Sequence, residues 1–362
     1  MTASTTAQAA AAASAATIAA AASTGDTMTA TESTATMRAA VQRRYGGPEH
    51  LHVDTVEAPT PGPGEVLIEV RAGGVDRGVW HLMTGRPLLI RVIGFGFRRP
   101  GQPIAGEDVS GVVIGIGAGV TRFSLGDEVL GAATGSYAEH AIAKEDRLVR
   151  KPASLSFEEA AAVPVSGVAA LRTVERAGIQ EGQRVLVLGA SGGVGSYALQ
   201  LAVAAGATVT GVASAAKADL VRDLGATDVI DYRSTDVTSL DAEYDVIIDT
   251  GGLTPLRRLR RILSPTGTLV IVGGEGGDSI TGGSTRALFA PLASLFTRQT
   301  LSGLMSVTAA EPLEKLVARI VAGDVRPALT RTYALADAST AIADLAAGRI
   351  AGKAVVRVRD AG

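Results

Sequence analysis

Val185-Leu-Val-Leu-Gly-Ala-Ser-Gly-Gly-Val-Gly195, continued by Ser196-Tyr-Ala-Leu-Gln-Leu-Ala-Val-Ala-Ala-Gly206, is the stretch whose reading decides the fold. Val185 to Leu188 is an unbroken apolar run, the pattern of a strand covered on both faces. Gly189, Gly192 and Gly195 follow at intervals of three, and a helix-forming segment comes next. Glycines at a strand-to-helix joint permit a tight turn, let backbone amides approach a diphosphate, and keep the helix close to the sheet. The helix N-terminus then offers unpaired N–H groups to the anion. The spacing is G-x-x-G-G-x-G, a variant of the dinucleotide fingerprint G-x-G-x-x-G. Ser191, Gly192, Gly193 and Val194 are the residues expected at the pyrophosphate.

Outward from this turn, strand and helix patterns alternate. Ala207 to Ser214 reads as a second strand, Lys217 to Leu224 as a helix ending at Gly225, and Val229 to Tyr232 as a third strand. Tyr244 to Asp249 and Leu269 to Val272 supply two more, the last running into Gly273-Gly274. Short joints between alternating elements describe an α/β, doubly wound parallel sheet. Such a scaffold can hold other ligands, but turn and alternation together favour a dinucleotide. NAD-preferring sites usually carry Asp or Glu about 20 residues beyond the fingerprint. Here the strand ends at Ser214, Lys217 stands close behind, and no carboxylate precedes Asp219. A hydroxyl and an ammonium suit a 2′-phosphate, so NADP(H) is the expected cofactor. Lys217 fits equally as a solvated residue in the first turn of a helix. Gly251, Gly273 and Gly274 end two strands on the crevice side, where the nicotinamide half belongs; they also fit as ordinary turn residues.

The 362 residues allow about two domains of ordinary size. A formal charge of -2 gives no reason to expect nucleic acid or an anionic membrane as partner. The chain has no cysteine, which excludes disulfides and thiolate zinc sites. No apolar run is long enough to cross a bilayer. Residues 1–36 are almost wholly Ala, Thr and Ser and lack large residues with which to bury a face, so they read as a disordered leader. They lack the basic segment of a secretory signal and the arginines of a mitochondrial presequence, and a cytoplasmic location is expected. Met37 is a plausible alternative start.

Val41 to about Lys151 is strand-rich. Glu65 to Arg71 alternates cleanly after the turn Pro61-Gly-Pro-Gly64. Val109 to Gly117, Asp127 to Leu130, Tyr137 to Ile142 and Leu148 to Lys151 are further strand candidates, and together they suggest a compact barrel-like module. Ser156 and Glu159 form a capping-box pattern. Ser166 to Ala177, Pro312 to Ala322 and Ala338 to Leu345 read as helices, and Ala354 to Val358 as a terminal strand. Residues 84–104 and 279–306 read as loop-rich and specificity-setting.

These landmarks resemble the medium-chain dehydrogenase/reductase superfamily, in its zinc-less quinone oxidoreductase-like branch, over roughly 38–358. The motifs that carry the likeness include Arg44-Tyr-Gly-Gly-Pro48, Pro61-Gly-Pro-Gly-Glu-Val-Leu67, Gly106-Glu-Asp-Val-Ser-Gly111 and Phe123-Ser-Leu-Gly-Asp-Glu-Val129. Ala160-Ala-Ala-Val-Pro164, the Gly189 to Gly195 turn, Gly225-Ala-Thr-Asp-Val-Ile-Asp-Tyr232 and Gly352-Lys-Ala-Val-Val356 complete the set. The resemblance implies a GroES-like, mostly-β barrel domain over 37–160, a Rossmann NADP(H)-binding domain over 161–305 inserted into it, and a return to the catalytic domain over 306–362. It implies hydride transfer from NADPH to quinones, enones or related carbonyl compounds, a small-molecule substrate, and a homodimer. Tyr232 matches a family tyrosine at the adenosine end, although an aromatic at a strand end also serves packing. Zinc-dependent relatives place Gly-His-Glu where this chain has Gly106-Glu107-Asp108. The four histidines, His50, His52, His81 and His140, show no His-x-x-x-His pairing, so no metal is expected.

Without a Lewis acid, the oxygen of a reduced enone must meet hydrogen-bond donors or positive charge. The segment Gly74-Val-Asp-Arg-Gly-Val-Trp-His-Leu-Met83 stands where relatives show Gly-Val-Asn-Pro-x-Asp, with Asp76, Arg77 and Val79 as departures. His81 matches a substrate-facing tyrosine of some quinone reductases and would donate to the substrate oxygen, or else is a loop histidine packed beside Trp80. Asp76 would position the nicotinamide ribose or merely cap a local turn. Trp80, Met83 and Phe95 would form an apolar substrate wall. Two other readings stand beside the favoured one: an enoyl reductase for carrier-bound or thioester substrates, approached over Arg91, Arg98 and Arg99, and a non-catalytic NADPH-binding redox sensor.

Overall fold

The computed structural model describes residues 35–92, 96–273 and 284–359. The leader expected over 1–36 lies almost entirely outside them, as do Phe95 and Gly274. A two-stranded antiparallel ribbon opens the chain, β1 (Thr36–Val41) and β2 (His52–Glu57). The main β-sheet of the first part contains β3 (Glu65–Val75), β4 (Asp108–Ile116), β5 (Glu128–Ala132), β6 (His140–Lys144) and β7 (Leu148–Arg150). In β3, Val66, Ile68 and Val70 are fully buried while Glu65, Leu67 and Glu69 are only half-buried, the alternation of a strand with one face on a core. Beyond Ala72 the alternation stops and Gly73, Gly74 and Val75 are all buried. There Ala72 packs with Ala161 and Ala162, at the end of the helix Phe157–Ala161, and with Val355. That helix starts with the expected capping box, Ser156 and Glu159 each closing on the other's backbone.

The second sheet is wholly parallel and six-stranded: β8 (Arg184–Leu188), β9 (Thr208–Ala213), β10 (Asp228–Asp231), β11 (Tyr244–Asp249), β12 (Leu263–Ile271) and β13 (Thr300–Gly303). Their order in space is β10-β9-β8-β11-β12-β13. The strand order reverses between β8 and β11, the switch point at which such sheets open a crevice. Two closing strands, β14 (Leu329–Ala334) and β15 (Lys353–Arg357), pair with each other, and β15 joins the first sheet alongside β3. The chain therefore has an α/β Rossmann-type sheet and a GroES-like β-rich part completed by its last strand.

One stretch corrects the sequence reading. Residues 279–306 read as loop-rich in the sequence, yet a helix spans Ser284–Ser294 and the sixth strand follows at Thr300–Gly303. The strand Thr-Leu-Ser-Gly has Leu301 as its one large apolar residue, and the helix contains Pro291, so neither shows a readable period. Parallel pairing with β12 creates the strand.

Candidate functional site

The crevice is built first by glycine. Gly189 takes φ 76°, a left-handed conformation that ends β8 and turns the chain. Gly192 N–H donates to the Gly189 carbonyl at 2.9 Å, and a Cβ on Gly195 would stand 2.1 Å from that same oxygen. The helix Gly193–Ala204 thus begins directly against the strand end. Its N-cap is Gly192, which brings no side chain to cap the first amides. An uncapped helix N-terminus beside a side-chain-free turn fits a diphosphate, with Ser191, Gly192, Gly193, Val194 and Gly195 as the residues around it.

Along the crevice, Ser214 is buried at the end of β9 and its carbonyl accepts from Lys217 N–H. The Lys217 ammonium donates to the carbonyls of Gly348 and Ile350, at 2.8 and 2.6 Å. Desolvation lowers its pKa, and the charges of Arg233 and Arg77 lower it further. Three cations therefore gather at the tip of β9, where Tyr232 is exposed beside Arg233. In the other direction, Gly251 is half-buried, and a Cβ on Gly273 would lie 2.1 Å from the Thr250 carbonyl. The buried Asp249 accepts from Gly252 N–H at 2.8 Å and pairs with Arg286 at 2.8 Å. Nε and Nη1 of Arg286 are buried with no hydrogen-bond partner.

The ends of β3, β4 and β15 meet this turn. Lys353, 1% exposed, sends its ammonium to Asp108 Oδ2 at 3.2 Å, Ser166 Oγ at 3.2 Å and the Val75 carbonyl at 3.3 Å. A Cβ on Gly193 would stand 3.2 Å from Lys353 Cδ, and Gly352 N–H donates to the Ser191 carbonyl at 2.8 Å. The glycine turn and the barrel strands are thus joined at this one point. Asp108 is fully buried; burial pushes its pKa up and the Lys353 ammonium pulls it back. Asp76 caps the helix Arg77–Thr84 through Val79 N–H at 3.3 Å, so the capping role exists, but its Oδ2 remains buried and unpartnered. Next to both, Glu107 is raised to about 7 by desolvation and by the charges of Asp76 and Asp108, opposed by Arg147.

His81 lies on that helix, and its Nδ1 is 2.9 Å from the Arg86 carbonyl. A carbonyl only accepts, so Nδ1 carries the hydrogen and a neutral ring presents Nε2 as an acceptor. Trp80 is partly buried and packs against the barrel core; Met83, read from sequence as substrate wall, belongs to that core at 4% exposure.

Three groups escaped the sequence reading as site residues: Glu107 with Asp108, Lys353, and the Asp249–Arg286 pair. A lone lysine opening an apolar terminal strand, and two acids opening another, were the available signals, since charges in buried strands need partners.

Two family models match the chain. The one described as alcohol dehydrogenase GroES-like domain covers residues 62–153, and the one described as zinc-binding dehydrogenase covers 224–356. The chain contains no cysteine, and among the described residues no group of three or more His, Asp or Glu side chains is arranged to hold a metal. Over 340 residues it is 30% identical to the chloroplast envelope quinone oxidoreductase homolog of Arabidopsis thaliana, covering 88% of this chain and 98% of that protein. The solved quinone oxidoreductase of Coxiella burnetii superposes with a TM-score of 0.79 at 27% identity, over 90% of this chain and 100% of that one. A mycobacterial protein solved in complex with NADPH gives a TM-score of 0.74 at 25% identity, over 89% of this chain and 100% of that one.

Proposed function

Because the chain belongs to the medium-chain dehydrogenase/reductase superfamily, in its quinone oxidoreductase-like branch, and is on that ground an oxidoreductase using a nicotinamide dinucleotide, we propose that it reduces quinones or enones with NADPH and without zinc. The observation that carries this reading is the joint at Lys353, which brings the buried Asp108 and its acidic neighbours against the glycine turn. NADPH over NADH is supported by the gathering of Lys217, Arg77 and Arg233 at the tip of β9, where the neighbouring acid, Asp231 of β10, already accepts from Arg233 N–H. The third hydrogen of the Lys217 ammonium is available to that phosphate.

NADPH supplies the hydride when bound. Reduction of an enone at its β-carbon leaves an enolate, which needs a proton before release. Glu107, with a carboxyl that is half protonated near neutral pH, is the group matched to give it; its carboxylate then regains a proton from solvent. Asp76 Oδ2 is the acceptor available to a ribose hydroxyl, and Trp80 supplies apolar surface beside it. His81 donates to a substrate oxygen only as the imidazolium, because its other nitrogen already serves Arg86.

The protein acts on a small molecule, and we place it in the cytoplasm as a homodimer. Among the described residues no helix is long and apolar enough to cross a membrane. β13 is an edge strand, and the exposed Leu292, Leu295, Phe296 and Met305 flank it in sequence, the last two 89% and 90% accessible. An edge strand flanked by apolar side chains is the surface a two-fold partner would cover.

The test is oxidation of NADPH and NADH by purified protein with quinones, enones, aldehydes and acyl thioesters. Turnover of quinones or enones with preference for NADPH is expected. Turnover confined to thioesters would move the assignment to a carrier-linked enoyl reductase, and binding without turnover across the panel to a sensor.

A further inference from the structure

At the N-terminal ends of β12 and β13, opposite the crevice, the helix Leu256–Leu259 runs into β12 and the segment 297–299 runs into β13. Between them lies a depression of about 480 Å³ lined by Arg257, Arg260, Arg261 and Arg298; the rest of its wall, Pro265, Thr297 and Gln299, is uncharged. Among the described residues no carboxylate lines it. The nearest acid seen to act on this helix, Asp236, pairs with Arg258 at 3.1 Å, and neither residue lines the depression.

The floor is built rather than incidental. Gln299 is 8% exposed, and its side-chain NH₂ donates to the carbonyls of Arg260, Leu263 and Ser264 at 2.9, 3.0 and 3.3 Å. Three carbonyl acceptors fix which end of the amide is nitrogen, so the amide oxygen must face Arg260, whose Nε donates to it at 3.0 Å. This bond orients the Arg260 guanidinium and leaves its two terminal nitrogens for a ligand. Among the described residues, Arg257, Arg261 and Arg298 make no ion pair.

Asp236 lies outside the lining and its charge is felt by Arg261 as well as Arg258; the remaining like charges repel one another, and a bound anion removes that cost. Guanidinium forks match phosphate oxygens in pairs. The depression is shallow and open to solvent, and its volume of about 480 Å³ admits a small charged ligand. The lining has no aromatic side chain, so nothing there would stack on a nucleobase. We propose that this depression is a binding site for the di- or triphosphate group of a small molecule, separate from the dinucleotide crevice and independent of the hydride chemistry.

The experiment is calorimetric titration of the full chain at fixed ionic strength with inorganic pyrophosphate, triphosphate, ATP and, as a control for bulk charge, sulfate. NADPH is kept saturating so that the crevice is filled; if it does not bind, the dinucleotide reading fails, and the same titration on the bare chain with Lys217→Ala still tests this site. Saturable one-to-one binding is expected, with triphosphate tighter than pyrophosphate, ATP no tighter than triphosphate, and sulfate weakest. Because Arg257 and Arg298 are exposed, Arg257→Gln/Arg298→Gln should leave folding and NADPH affinity unchanged while weakening triphosphate by about tenfold for each arginine removed. Equal affinity in wild type and double variant, sulfate matching triphosphate, or no saturable heat would each overturn the proposal. ATP far tighter than triphosphate would overturn it as well, by showing recognition of the base.

Discussion

Substituting Glu107 by glutamine should stabilise the protein in alkali and do little in acid. Folding moves this carboxyl from 4.5 to about 7, first through desolvation and then through the charges of Asp76 and Asp108. At about 1.4 kcal/mol per unit, the shift corresponds to roughly 3 kcal/mol between the protonated and ionised forms. The direction follows from proton binding. The folded chain holds this proton more tightly than the unfolded chain, so the contribution to stability is fully present below pH 4.5, declines as the pH rises, and is lost above about 7. Glu107→Gln keeps the size of the side chain and removes its titration. Urea unfolding of wild type and variant at pH 5, 7 and 9 should therefore show a small difference at pH 5 and a gain of about 2–3 kcal/mol for the variant at pH 9. Groups outside the cluster of Glu107, Asp76 and Asp108 are common to both proteins and cancel, so the difference reads that cluster. A difference that is the same at pH 5 and pH 9 would show that this carboxyl is not pressed by its acidic neighbours, and the proton-donor role built on it would fall too.

The other predictions concern separate parts of the molecule. If Glu107 delivers the enolate proton, Glu107→Gln should also lower kcat by about a hundredfold and abolish a fall in kcat above pH 7, whereas a solvent-fed reaction would leave kcat unmoved. Lys353→Met strands the buried Asp108 and should cost about 3–5 kcal/mol in denaturant unfolding; Lys353→Met/Asp108→Leu should recover most of it. Lys217→Ala should weaken NADPH about tenfold in fluorescence titration and leave NADH unchanged, with an unaltered ratio removing this lysine from the 2′-phosphate site. Phe296→Glu/Met305→Glu should yield monomers in light scattering at concentrations where the wild type is dimeric.

The sheet was legible because its strands carry their own signal. Val185 to Leu188 and Tyr244 to Asp249 are almost wholly buried, and burial on both faces writes itself as a continuous apolar run. The strand β13 could not be read, since an edge strand of four residues with one large apolar side chain takes its conformation from its neighbour. The glycine turn was equally legible, because a strand end packed directly against a helix start needs glycines at fixed spacing. The barrel half was not. Asp76, Glu107 and Lys353 are far apart in sequence, and only the pairing of β3 with β4 and β15 brings them to one place. Residue type alone could not distinguish His81 as donor from His81 as acceptor; the Arg86 carbonyl decides that.

The Lys353–Asp108 pair is better understood as a registration device than as a source of stability. Two charges with 1% and 0% side-chain exposure have both lost their water, and an apolar pair of similar volume is often as stable or more so. Hydrophobic contact, however, has no preferred direction, whereas an ammonium with three oxygen partners does. Those partners come from three separate places: the end of β3 at Val75, the start of β4 at Asp108, and the helix Pro164–Ala177 at Ser166. The preceding Gly352 holds the glycine turn itself through Ser191. Four segments are thereby set against one another at the proposed meeting point of cofactor and acids, where a misplacement of about 1 Å would be enough to cost two orders of magnitude in rate. The apolar double variant separates the two roles. Recovered stability with lost turnover is the outcome this argument requires, and recovery of both would mean that packing alone keeps the crevice in register.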